Sequence, residues 1–278
     1  MNTQTISNQK TSSQIFGLWL PLVIISLWAL TAFIGPLLPI SPNQIELTHI
    51  LLPPGQEVLL GADDLGRSIA ARILAGAQTS FIVACWVVVI STILGTVIGT
   101  FSGFLGGTWD SIVVRIIDIF LAFPGILLAI ALAGILGPGI ENVVIALSIV
   151  GWVGYARLAR AQVLSLKHRE HVQAAIALGA GTGRIIFRHL LPLIMAPLIV
   201  EASFGVAGIV IAEAGLSFLG LGVQPPGASW GSMIRDGARY LLVAPHMVIV
   251  PGIALMLVVL SVNLLGDRLR DKLDVRRR

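Results

Sequence analysis

Six apolar runs, separated by polar segments, dominate the pattern of this chain: roughly 15–36, 80–101, 112–136, 140–162, 193–217 and 245–266. A bilayer-spanning helix needs about 20 such residues. Inside hydrocarbon the backbone polar groups must be satisfied within the segment, so each run is expected to be helical. Pro21, Pro124, Pro197 and Pro251 fall within runs and mark expected kinks. The pattern predicts an all-α polytopic membrane protein with six transmembrane helices.

The polar segments divide the chain. Residues 1–14 form a polar tail whose only charge is Lys10, and residues 15–79 hold the first helix and a long loop. A core of five helices follows over 80–266, interrupted by a polar segment at 165–192, and 267–278 is a basic tail. The first run is too long, and lacks too clearly a small-residue cleavage site, for a removed signal peptide, so it is read as an anchor. Arg157, Arg160, Lys167, Arg169, Arg184 and Arg188 cluster around the connection between the fourth and fifth runs. Arg268, Arg270, Lys272, Arg276, Arg277 and Arg278 crowd the tail. Six spans put both clusters on one side, and basic residues collect on the cytoplasmic side. Both termini are therefore expected in the cytoplasm, with the 37–79 loop and the shorter 222–244 loop outside.

Composition agrees with this picture. The chain is 56% hydrophobic and 12% charged, with mean hydropathy +0.92, whereas soluble domains carry about 25% charged residues. The pI near 9.8 follows from the one-sided basic residues and does not call for nucleic acid. A single cysteine, Cys85, allows no intrachain disulfide. No G-x-x-x-x-G-K-[ST], G-x-S-x-G or H-E-x-x-H is present. The stretch "GAGTGR" at 179–184 places Arg184 where a dinucleotide fingerprint needs its third glycine. The five histidines, His49, His168, His171, His189 and His246, form no metal-site spacing. Catalysis by this chain is not expected, and neither is a bound metal or cofactor.

Two further patterns bear on chemistry. Gly95, Gly99, Gly103 and Gly107 place a small residue at every fourth position of the second run, a face that lets a neighbouring backbone approach closely. Ionisable residues inside spans are expensive and mark a functional site or an internal partner. Arg115 and Asp118, three apart near the start of the third run, are expected to pair locally. Glu201 and Glu213 in the fifth run are candidates to face a solute pathway or to accept hydrogen bonds from another helix.

The segment "EHVQAAIALGAGTGRIIFRHLLP", Glu170 to Pro192, is the polar break between the fourth and fifth runs. Val172, Ala175, Ile176 and Gly179 recur at helical spacing and make one stripe of a short helix. Gly179, Gly181 and Gly183 should end it, and Pro192 should open the next span. The stripe is thin for lying on lipid headgroups, so a protein partner is the better fit.

This segment resembles the signature of ATP-binding-cassette importer permeases, E-A-A-x3-G-x9-I-x-L-P. Gln173, Ala174, Ala175, Gly179, Leu191 and Pro192 fall at the signature spacing, with Gln173 in place of glutamate and His189 in place of isoleucine. "LGADDLGRSIAARILAGAQTS" over 60–80 resembles the external-loop pattern of the second permease of peptide and nickel importers, carried by Gly61, Asp63, Asp64, Gly66 and Arg67. "AFPGILLAI" at 122–130 and "EAGLSFLGLGVQPPGASWGSMI" at 213–234 resemble other segments of that subfamily.

The resemblance implies the fold of type I importer permeases and a division of labour. The chain would be half of a permease heterodimer in the inner membrane, surrounded by lipid. Two ATPase chains beneath it would bind the ATP and magnesium, and an external solute-binding protein would deliver substrate. The segment around 170–183 would be the coupling helix that contacts an ATPase. The expected solute is a di- or oligopeptide, with nickel or a metal chelate as the alternative. An ion-coupled transporter would instead need midplane charges and paired broken helices.

Overall fold

The computed structural model describes the backbone of residues 3–37 and 39–273 and, Pro36 apart, the side chains from residue 19 onward, leaving out Leu38. The tail arginines Arg276, Arg277 and Arg278, and the side chain of Lys10, lie outside the described residues. Among those residues the chain is helical, with a lone antiparallel bridge between Ala62 and Ser68.

Helix α1 covers Thr3–Ile34, α2 Ile69–Leu105, α3 Gly107–Leu121, α4 Gly125–Leu136 and α5 Ile140–Leu166. The short α6, Glu170–Ala177, leads into α7, Thr182–Phe218, and α8, Trp230–Ala238, precedes α9, His246–Leu273. α2, α5, α7 and α9 are long and apolar enough to cross a membrane, and α3 with α4 makes a fifth crossing if the bent pair counts as one. The apolar part of α1 with described side chains is Trp19–Ile34, shorter than a full crossing.

Helices outrun the predicted spans because a helix need not stop at the edge of the hydrocarbon. The 37 residues of α2 extend about 55 Å at 1.5 Å per residue, against a core of roughly 30 Å. The third run is not one rod. It breaks by 88° between α3 and α4, where Pro124 supplies no N–H and sits as the cap of α4.

α2 and α5 form the principal seam of the molecule, and the glycine face predicted on α2 lies in it. A methyl group at Gly99 would overlap the Ala156 backbone, and one at Gly95 would overlap the Trp152 carbonyl. At Gly103 it would stand 2.9 Å from the Arg160 carbonyl. Only glycine permits this approach. Gly107, the last of the four, has open space around it and takes no part in the seam.

Among the apolar core clusters of the described residues, two bear on the polar segments. One gathers Trp28, Ile69, Ala77, Trp230, Met233 and Met247 from α1, α2, α8 and α9. Within it the Trp28 indole donates to the Ala77 carbonyl at 3.1 Å and the Trp230 indole to Ile73 at 3.1 Å. The other joins Tyr155, Val163, Val172, Ile185, Ile186 and Leu190 from α5, α6 and α7.

The 222–244 stretch, expected as a loop, contains α8. Ser229 caps it by accepting from the Ser232 amide at 3.2 Å, and the Ser229 amide donates back to the Ser232 hydroxyl at 3.0 Å. The sequence signal was present: Trp230, Met233, Ile234 and Gly237 recur at helical spacing after a capping serine.

Candidate functional site

The polar break between α5 and α7 folds into a compact arch. Lys167 ends α5, and its ammonium donates to the Gly103 carbonyl at 3.0 Å, tying the arch to the end of α2. The Gln173 amide donates back to the Lys167 carbonyl at 2.8 Å. Gly179 then reverses the chain at φ +79°, the left-handed conformation that favours glycine. The Ala180 amide donates to Ala175 at 3.0 Å and the Gly179 amide to Ile176 at 2.9 Å, satisfying carbonyls at the end of α6.

The arch corrects the predicted stripe. Val172 is fully buried and faces Ile185, Ile186 and Leu190 in the chain's own core, so it is an anchor and not part of an outward surface. Ala175 is half-buried, while Gln173, Ala174, Ala177 and Gly179 are exposed. The most prominent apolar side chain is Leu178, 88% exposed, beside Ile176. Sequence reasoning passed over Leu178 because it lies off the i, i+3, i+4 stripe. A lone leucine directly before a glycine reversal was the available signal.

Pro192 stands in the first turn of the regular α-helical part of α7, Leu191–Phe218, as expected, and an irregular stretch from Thr182 precedes it. Residues Ile185–Leu190 widen into a π turn just before it. That irregularity falls where proline lacks the N–H for a regular bond. His189 and Leu191 are half-buried along this stretch and Pro192 is exposed, one side of the arch away from its tip.

Arg115 and Asp118 do not pair with each other. The ion pair of this end joins α3 to α5: Arg160 donates through Nε and Nη2 to the two carboxylate oxygens of Asp110 at 2.6 and 2.7 Å. Ser102 on α2 donates to Asp110 at 2.5 Å. Fifty residues separate the partners, so no local spacing announces them.

The loop between α1 and α2 closes on itself. Asp63, almost fully buried, accepts from the Leu65 and Arg67 amides at 2.9 Å and from Arg67 Nε at 2.7 Å. Arg72, also buried, reaches the same carboxylate at 3.5 Å. Gly66, at φ +74°, has the Glu46 backbone where a Cβ would lie, and Gly61, at φ +83°, packs against His246 of α9. The His246 ring lies 3.3 Å from the Ala62 carbonyl. Asp64 is half-buried, and burial together with the Asp63 charge pushes its carboxyl above the usual range despite Arg67 nearby. The motif residues thus make a knot seated on α9, centred on Asp63, whose two oxygens take up the neighbouring amides and Arg67.

The two glutamates of α7 differ. Glu213 is enclosed, accepting from Ser80 of α2 at 3.0 Å and from Ser217 at 2.7 Å. It serves a helix crossing and does not border an open pathway, because serine hydroxyls from two sides take up its oxygens. Glu201 is exposed and borders a groove of about 490 Å³ among α5, α7 and α9, lined also by Leu158, Val200, Phe204 and Arg270.

Together these features define an integral membrane protein of the helical class, with one polar arch held outward between two spanning helices. The chain belongs to the family of binding-protein-dependent transport system inner membrane components, whose pattern matches residues 95–278. It is therefore a multi-pass inner-membrane protein of the permease kind. It is 44% identical over 254 residues to the dipeptide transport system permease protein DppC of Alkalihalophilus pseudofirmus, covering 91% of this chain and 84% of that one. It is 41% identical to the nickel transport system permease protein NikC of Escherichia coli K12, covering 92% of each. In fold it is similar to a chain of the inward-facing MetNI methionine ABC transporter, with TM-score 0.57 at 17% identity, over 74% of this chain and 95% of that one.

Proposed function

We propose that this chain is one of two permease subunits of an ATP-driven importer that takes di- or oligopeptides from an external binding protein into the cytoplasm. The observation that carries the solute class is the 44% identity to a dipeptide permease along nearly the whole chain. The arch and both termini face the cytoplasm in this reading, which agrees with the side on which the basic residues collect. The α1–α2 knot then faces outward.

The arch supports a coupling role. Leu178 and Ile176 expose apolar surface at the tip of a cytoplasmic turn, where it would gain by entering a groove on an ATPase chain. Val172 roots α6 in the core beneath α5 and α7, so a push on the tip is carried directly to two spanning helices. ATP-driven closure of the ATPases would bias the permease between inward- and outward-open states, the differential contact that coupling requires. This chain positions and transmits, and hydrolysis belongs to the ATPases.

Nickel import is the second reading, favoured by the 41% identity to a nickel permease. The test is uptake by a complex reconstituted with its partner permease, ATPases and binding protein. We expect ATP-dependent entry of a labelled dipeptide, no entry of radioactive nickel, and loss of entry in Gly179→Asp, which places a charge on the arch tip. Nickel uptake without peptide uptake would replace the first reading by the second.

A further inference from the structure

We propose that the groove bordered by Glu201 and Arg270 is a binding site for the zwitterionic ends of a peptide on its way through the chain. This inference rests on the peptide reading above and adds which residues meet the solute.

Glu201 lies within a membrane-spanning helix, where an ionised carboxylate needs a partner. Its companion on the same helix, Glu213, has one on each oxygen; among the described residues no ion pair or hydrogen bond holds Glu201. Its carboxylate stands over α5, close enough that a methyl group on Gly154 would lie 3.9 Å from Oε1. Arg270, on the last turns of α9, is likewise exposed and in no ion pair among the described residues.

Between these charges the groove wall is apolar, formed by Leu158, Ala196, Pro197, Val200, Phe204 and Leu273. A volume of about 490 Å³ lies within the range of small-molecule sites, which are mostly apolar with a few placed polar groups. A carboxylate suits an ammonium group, and a guanidinium suits a carboxylate, which it can bind through two parallel hydrogen bonds. A short peptide carries one of each at its ends, with side chains between that apolar walls accept. A free metal cation would meet one carboxylate and a repelling guanidinium. The charge pattern selects the peptide.

The test uses the assembled permease–ATPase complex without nucleotide or binding protein, so that selection by the binding protein does not intervene. Binding of labelled Ala-Ala is competed with unlabelled Ala-Ala, its N-acetyl form and its C-terminal amide. We expect each blocked form to compete about tenfold less well than Ala-Ala. E201Q should erase the discrimination against the N-acetyl form only, and R270Q that against the amide only. Should a neutral variant fail to assemble, E201D and R270K keep the charges and should keep the selectivity, and the competition on the unaltered complex still decides. Equal competition by all three peptides would overturn the proposal. So would loss of retained anionic phospholipid in R270Q with no change in peptide choice. Uptake by the unaltered full importer separates the two levels: peptide uptake with no such selectivity removes only this site, whereas absence of peptide uptake removes the function beneath it.

Discussion

The α1–α2 knot and the α5–α7 arch are both polar interruptions dense in glycine, yet they direct their side chains oppositely. In the knot, Asp63 takes up two backbone amides and one arginine, with a second arginine beside it, and Gly61 and Gly66 are where neighbouring backbone or His246 leaves no space. In the arch, Gly179, Gly181 and Gly183 have open space around them, and Leu178 projects outward. A polar motif whose groups satisfy one another holds the fold. One that leaves an apolar side chain outside offers a surface to a partner.

The sharpest way to break this contrast is Asp63→Ala, which leaves Arg67 and Arg72 buried without their shared carboxylate. Removing one member of a buried pair costs roughly 3–5 kcal/mol. We expect a large drop in the thermal midpoint of the purified complex and little mature protein in the membrane. Survival of a normally stable Asp63→Ala protein would place the knot among the surfaces rather than the supports.

Leu178→Ser tests the other region. Folding stability should stay within about 0.5 kcal/mol, as for most exposed substitutions. Affinity for the ATPase should fall by roughly 1.5–3 kcal/mol of lost apolar burial, about ten- to a hundredfold. Titration of the permease pair with purified ATPase reads this directly, and unchanged affinity would move the docking surface off the tip.

Lys167→Ala lies between the two behaviours, because its ammonium ties the arch to Gly103 while part of it meets solvent. Loss of that bond should cost about 1 kcal/mol, seen as a small fall in thermal midpoint with ATPase association retained.

The smallest effect is a pH dependence in the knot. The Asp64 carboxyl is raised by burial and by Asp63, so its protonated form is favoured more in the folded chain than in the unfolded one. Its contribution to stability is present at pH below its unfolded value and is lost as pH rises through the folded one. Asp64→Asn should remove that component, so the difference in thermal midpoint between variant and parent should grow as pH rises through this range. A constant difference would show that Asp64 is not desolvated in the folded protein.

Much of this was legible along the chain. Apolar runs and basic clusters marked a helical membrane protein, because a bilayer imposes length on its helices and charge asymmetry on their connections. The α2 glycines were legible as a packing face from their spacing, and α6 from the residues around Val172. The 88° break after α3 was marked by Pro124 only as a kink, since proline shows where a helix can bend and not how far.

What the sequence by itself determined was the solvent of each segment and the periodic faces of its helices, quantities set by residue type and local spacing. Tertiary structure alone decided which way those faces turn and whom each charge meets. Val172 turned inward because Ile185, Ile186 and Leu190 arrive beneath it. Asp110 found Arg160 across fifty residues, whereas Arg115 and Asp118, three apart, make no pair. Glu213 was enclosed by Ser80 and Ser217, while Glu201, twelve residues earlier, stayed open. A side chain's chemistry is local, but its burial is decided by the elements that come to lie against it.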